Sequence, residues 1–173
     1  MTLSREVPIS LLHKSYFSRQ IIHKQLMYNF YSTGIDAACG AGICHDAVAL
    51  MHFLKKPCLS AFDFHTIRHR TGKQWINYFY SGFTLWDGVS DLPVNKAIGF
   101  TRPPLPNELA NHQIICHSAY SVSNNEVRAI NGMAFGQNGW KRAKLTDLFE
   151  MHNNGYTVFT QTQQRVDILI SNR

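Results

Sequence analysis

Charge is scarce in this chain. Asp, Glu, Lys and Arg together make up 16% of its 173 residues, while 45% are hydrophobic. That balance excludes a disordered chain, which stays unfolded through low hydrophobicity and high net charge. Long apolar runs are missing too. None approaches the roughly 18 residues that would cross a bilayer, so no membrane span is expected. The opening Met1-Thr2-Leu3-Ser4-Arg5-Glu6-Val7-Pro8 lacks the apolar stretch of a secretory signal. There is no internal repeat, no low-complexity segment and no glycine-rich phosphate loop. Neither Cys-x-x-Cys nor His-Glu-x-x-His occurs, which removes the strongest zinc signatures.

Carboxylates are fewer than bases, 11 against 17, for a net charge of +6. The bases are scattered and form no block. They give a general attraction to anions, but no specific nucleic-acid site is expected. The length suits one domain over 1–173 with a sizeable core. Such a core needs no disulfide staples, so Cys39, Cys44, Cys58 and Cys116 are expected as free thiols.

Periodicity divides the chain in two. Leu11, Leu12, Phe17, Ile21, Ile22, Leu26 and Phe30 recur at helical steps and predict a helix over 11–31. Further helices are predicted over 44–55, stopped before Pro57, and over 66–80, stopped near Gly82. Residues 82–107, with Gly88, Pro93, Pro103, Pro104 and Pro106, read as one long loop that would set specificity. Strands follow over 113–122 and 126–135, joined by Ser123-Asn124-Asn125. A short helix capped by Thr146 is predicted over 145–152, then a closing strand pair over 156–161 and 165–171. Helices first and strands second predict an α+β fold. The helical half covers about 1–82, the loop about 83–111 and the antiparallel sheet half about 112–173.

The chemistry centres on Cys39-Gly40-Ala41-Gly42-Ile43-Cys44, a glycine-rich stretch that ends where an apolar helix begins. A helix N-terminus carries partial positive charge and free backbone N–H groups. Both favour a thiolate, and the N–H groups can hold an oxyanion. Cys44 is preferred over Cys39 because a helix from Cys39 would have to absorb Gly40 and Gly42, each costing about 1 kcal/mol. Asp46 in the first turn suits a helix start at Cys44, though its charge opposes the thiolate. A thiol nucleophile also needs an imidazole and a third group to orient it. His117 opens a strand-like run and Asn131-Gly132 closes the next. His112 is the alternative base, and Asn138 the alternative orienter. Read singly, Cys44 suits a buried thiol, His117 a core histidine and Asn131-Gly132 a hairpin turn. His65 and His69 share one helix face at i, i+4, and Asp63, Cys58 or His52 could add a ligand. A polar, solvated face of the third helix is the preferred reading of that pair, and no metal or other cofactor is expected.

The ordered trio resembles the papain-like cysteine hydrolases. Gly42-Ile43-Cys44 and its apolar helix are similar to the nucleophile segment, including that of YopT-like bacterial effector peptidases. His117-Ser118-Ala119-Tyr120-Ser121-Val122 resembles the base strand, and Val127-Arg128-Ala129-Ile130-Asn131-Gly132 the orienter strand. Ala37-Ala38 stand where such enzymes often carry a polar oxyanion residue, leaving Asp36, Ser32 or backbone N–H groups for that role. The resemblance implies a helical lobe packed on an antiparallel sheet and a Cys44–His117–Asn131 triad cleaving amide bonds. Trp86 and Trp140 are expected to bind substrate, and Phe79, Tyr80, Phe83, Trp86 and Phe100 to build core and cleft walls. The implied substrate is a protein or peptide, peptidoglycan peptide included. The implied setting is a bacterial effector or toxin, made in the cytoplasm and secreted without a cleaved signal to act in a target cell. An immunity or chaperone protein would accompany it. A glutamine or asparagine deamidase with the same triad is the alternative chemistry, and a binding module of the same fold is the alternative without chemistry.

Overall fold

The structure, a computed structural model, describes residues 13–28, 44–56, 72–102, 106–107, 114–130, 140–151, 157–159 and 163–173. They combine helices with an antiparallel sheet, an α+β arrangement. The chain divides into two compact units, Met1–Tyr78 with Ala129–Lys141, and Phe79–Arg128 with Arg142–Arg173.

In the first unit, α1 (Tyr16–Tyr28) is opened by Ser15, whose Oγ accepts the Ser18 N–H at 3.2 Å. This satisfies a donor that the first turn leaves without a partner. Ile22, Leu26 and Met27 form its buried face. It packs on α2 (Cys44–Lys55), which matches its predicted span. From His45 to Leu54 every residue of α2 except Asp46 is buried, so it is a core helix and not an amphipathic surface one. Two contacts tie the pair together. The Arg19 guanidinium sits 4.8 Å over the Phe53 ring, and Gln20 Nε2 donates to the Leu54 carbonyl at 2.7 Å. The second bond fills an acceptor left open at the α2 C-terminus. The third helix, α3 (Gly72–Tyr80), buries Trp75, Phe79 and Tyr80.

The strands are β1 (Phe83–Leu85), β2 (Ala97–Arg102), β3 (Ile114–Ser123), β4 (Glu126–Ile130), β5 (Trp140–Lys144), β6 (Phe149–Met151), β7 (Thr157–Phe159), β8 (Gln164–Val166) and β9 (Ile168–Ser171). A six-stranded sheet runs in the order β1-β9-β2-β3-β4-β5, and a three-stranded one in the order β6-β7-β8. β3 and β4 form the predicted hairpin about Asn124-Asn125, with Ser123 paired to Glu126. Arg142 grips Glu126 across the sheet.

Three expectations are corrected. The loop predicted over 82–107 contains β1 and β2, and β2 lies inside the sheet, with Ala97 to Thr101 all buried. A strand covered on both faces shows no alternation, and its flanking glycine and prolines disguised it. The helix predicted over 145–152 is a single turn, α4 (Leu145–Leu148), followed at once by β6. Its N-cap is Lys144 without a side-chain bond, and Thr146 lies within the turn. The closing pair is split: β8 pairs with β7, but β9 leaves to lie between β1 and β2.

Gly99 in β2 has a steric reason. A Cβ there would come within 2.8 Å of the Tyr80 ring. That ring crosses the strand to share a 2.9 Å hydrogen bond with Ser118 Oγ, on the residue paired with Gly99.

Residues 86–96 are strapped down. Asp87 Oδ1 accepts from the N–H groups of Val89 and Ser90 at 2.9 and 2.8 Å, with Gly88 at φ 84°. Ser121 Oγ donates to the Pro93 carbonyl at 2.5 Å and accepts the Lys96 N–H at 2.8 Å. The Leu92 N–H reaches the Asn124 carbonyl, again at 2.5 Å. Among the described residues no helix is long and apolar enough to cross a membrane.

Candidate functional site

Cys44 is the first residue of α2, and its thiol is half-buried and reduced. The buried run behind it fixes the helix, so the position of the thiol is set by the packing of Ala47, Val48 and their neighbours. Asp46 is half-buried in the same first turn, and its carboxylate opposes charge on the thiol.

His117 lies in β3 within the second unit, 8% exposed. Its β2 partner is Phe100, whose ring meets the imidazole at 5.5 Å and 34°. Phe100 stacks in turn on Phe149 at 5.5 Å and 11°. His117, Phe100 and Phe149 thus form a column with Phe100 in the middle and the imidazole at one end. Phe149 follows the α4 turn, whose Leu145 N–H is held by the Asn125 carbonyl at 2.7 Å. The loop expected over 82–107 hides Phe100 and its contact with His117. The available signal was the run of strand formers Ile98, Phe100 and Thr101.

Cys116 occupies a break in the β2–β3 register. Phe100 pairs with His117 and Thr101 with Ile115, so Cys116 faces no residue of β2. Its exposed thiol donates to the Phe100 carbonyl at 3.2 Å. Loss of solvent around the sulfur pushes its pKa up, against smaller opposing effects of a backbone hydrogen bond and Arg102. Cys116 is therefore a poor thiolate.

Trp86 is buried, and its Nε1–H donates to the Ser90 carbonyl at 2.7 Å within its own loop. Trp140 is the first residue of β5. Phe79, Tyr80 and Phe100 are core residues, whereas Phe83 on the edge strand β1 is 44% exposed. Asn131, His112, Asn138, Cys39, Cys58, Asp63, His65 and His69 lie outside the described residues, as do Ser32, Asp36, Ala37 and Ala38. His52 is buried in α2, with Nε2 3.4 Å from the Tyr78 hydroxyl and the two rings edge to face at 5.9 Å. Among the described residues no three His, Cys, Asp or Glu side chains gather as a metal site would need.

Two further shifts mark the electrostatics. Burial, aided by Lys55, lowers His23 from 6.5 to about 4, so this core imidazole is neutral at neutral pH. Burial works against the Glu126 charge, but hydrogen bonds from Arg142 and Ser123 outweigh it and leave the carboxyl below its ordinary value. The chain matches no protein-family model and no curated protein.

Proposed function

We propose that the chain is a papain-like cysteine hydrolase of amide bonds, in which Cys44 is the nucleophile, His117 the base and Asn131 the orienter. One observation carries the reading. Cys44 opens a helix buried almost throughout, with its thiol only half-covered and the helix N–H groups beside it. That is the environment a nucleophilic thiol needs. A buried imidazole packed against Phe100, on an antiparallel strand that turns into a hairpin, supports the second role.

In the reaction the Cys44 sulfur attacks the carbonyl carbon while His117 takes the thiol proton. The tetrahedral oxyanion is held by backbone N–H groups at the helix start. Collapse expels the amine, which His117 protonates, and leaves a thioester. Water activated by His117 then releases the acid and regenerates the thiol. Asn131 holds the imidazole tautomer through both steps. The substrate is a protein or peptide, and the biological setting is that of a secreted bacterial effector or toxin.

The test is brief alkylation with iodoacetamide at mildly acidic pH, read by mass spectrometry at each cysteine. Cys44 should react first, with Cys58 and Cys116 slow. Equal rates at all four cysteines, or a fast Cys39 alone, would overturn the assignment. Product masses then separate the chemistries. Fragments indicate peptide or isopeptide cleavage. A gain of about 1 Da on an intact substrate indicates deamidation, because hydrolysis of the thioester replaces NH₂ with OH.

A further inference from the structure

The outer face of α1 combines apolar and basic side chains in an order that its packing does not use. Its inner face, Ile22, Leu26 and Met27 with Arg19 and His23, is buried. Outward, Phe17 is 74% exposed and Ile21 45% exposed. Lys14 and Lys24 are exposed as well. The spacing Phe17-Ile21-Lys24 places these three on one side of the helix, and the exposed Lys14 lies two residues before its first turn, so a cation stands beyond each end of the apolar pair in sequence. No Asp or Glu occurs in Tyr16–Tyr28. Arg19 does not join the stripe, since its guanidinium turns inward over Phe53.

We infer that this face of α1 binds the surface of an anionic lipid bilayer, with α1 lying in the membrane plane. Charge complementarity selects that partner. Phe17 and Ile21 enter the boundary between headgroups and acyl chains, and the long stems of Lys14 and Lys24 let their ammonium groups meet lipid phosphates. The face belongs to one convex helix. A soft planar surface accommodates such a face without the matching groove that a protein partner would have to supply.

The experiment is co-sedimentation of the full chain with vesicles of phosphatidylcholine alone and of phosphatidylcholine mixed with phosphatidylglycerol, at low and physiological salt. The chain should bind the anionic vesicles about 10-fold more than the neutral ones, and less as salt rises. Phe17→Ser with Ile21→Ser should lose binding to the anionic vesicles. Lys14→Glu with Lys24→Glu should remove the preference for them. All four positions are exposed, and unchanged thermal unfolding of each variant checks that the fold is kept. Equal binding to both vesicle types, no binding to either, or variants that sediment like the original chain would overturn the inference. Self-association that disappears in Phe17→Ser with Ile21→Ser, without vesicle binding, would also overturn it and assign the face to a second copy.

Discussion

The helix α2 and the strand β3 are both buried, but different forces hold them. Side chains from Ala47 to Leu54 fill the core around α2, and their removal from water is its main support. β3 is pinned by polar bonds: Ser121 ties the 86–96 segment down at Pro93 and Lys96, and Ser118 holds the Tyr80 hydroxyl. The consequence is a difference in how each presents its candidate side chain. Cys44 stands at an end, where a helix has unfilled donors. His117 sits within a strand, its ring against Phe100, which Phe149 backs from the far side.

The largest effect should come from removing either group. Cys44→Ala or His117→Ala should lower turnover by on the order of 10³-fold or more, with the chain still folded. Asn131→Ala should be milder. An active His117→Ala enzyme would move the base to His112 or end the triad reading. Phe53→Ala tests the apolar side of the comparison. It empties a fully buried site in α2 and removes the Arg19 contact, so chemical denaturation should show a loss of about 3–5 kcal/mol. A loss under 1 kcal/mol would mean that α2 does not depend on its packing.

The pH dependence of stability sharpens the same contrast. The folded His23 has a pKa of about 4 against 6.5 when unfolded. Between those values the unfolded chain binds more protons, so stability must fall as pH drops through that window. The loss should approach about 3 kcal/mol, and His23→Gln should flatten the profile. Ser121→Ala tests the polar side and should cost about 1–3 kcal/mol, because it strands the Lys96 N–H and the Pro93 carbonyl. A neutral Ser121→Ala would show that the 86–96 segment is held by Leu92 and its backbone bonds.

The same comparison explains what could be read from sequence. α2 was legible because an apolar run of helical length, bounded by Gly42 and Pro57, has few other readings, and Cys44 came with it. The β3–β4 hairpin was legible through Asn124-Asn125. β2 was not, because a strand buried on both faces has no period, and Gly88 and the nearby prolines spoke for a loop. Phe100 within it was lost as well, and with it the ring contact to His117. β9 escaped for a topological reason. Nothing local in Ile168–Ser171 says that it pairs with β1 and β2 instead of β8.

The register break at Cys116 has a consequence for changes in chain length. Along an unbroken strand, adding or removing one residue turns every later side chain to the opposite face. A bulge is a position where an extra residue is already accommodated outside the ladder. A one-residue deletion between Arg102 and Ile114 can therefore be taken up by straightening the bulge, before it reaches His117. The imidazole then keeps its partner Phe100, so the spare residue at Cys116 is slack that protects this pair from a shortened connection into β3.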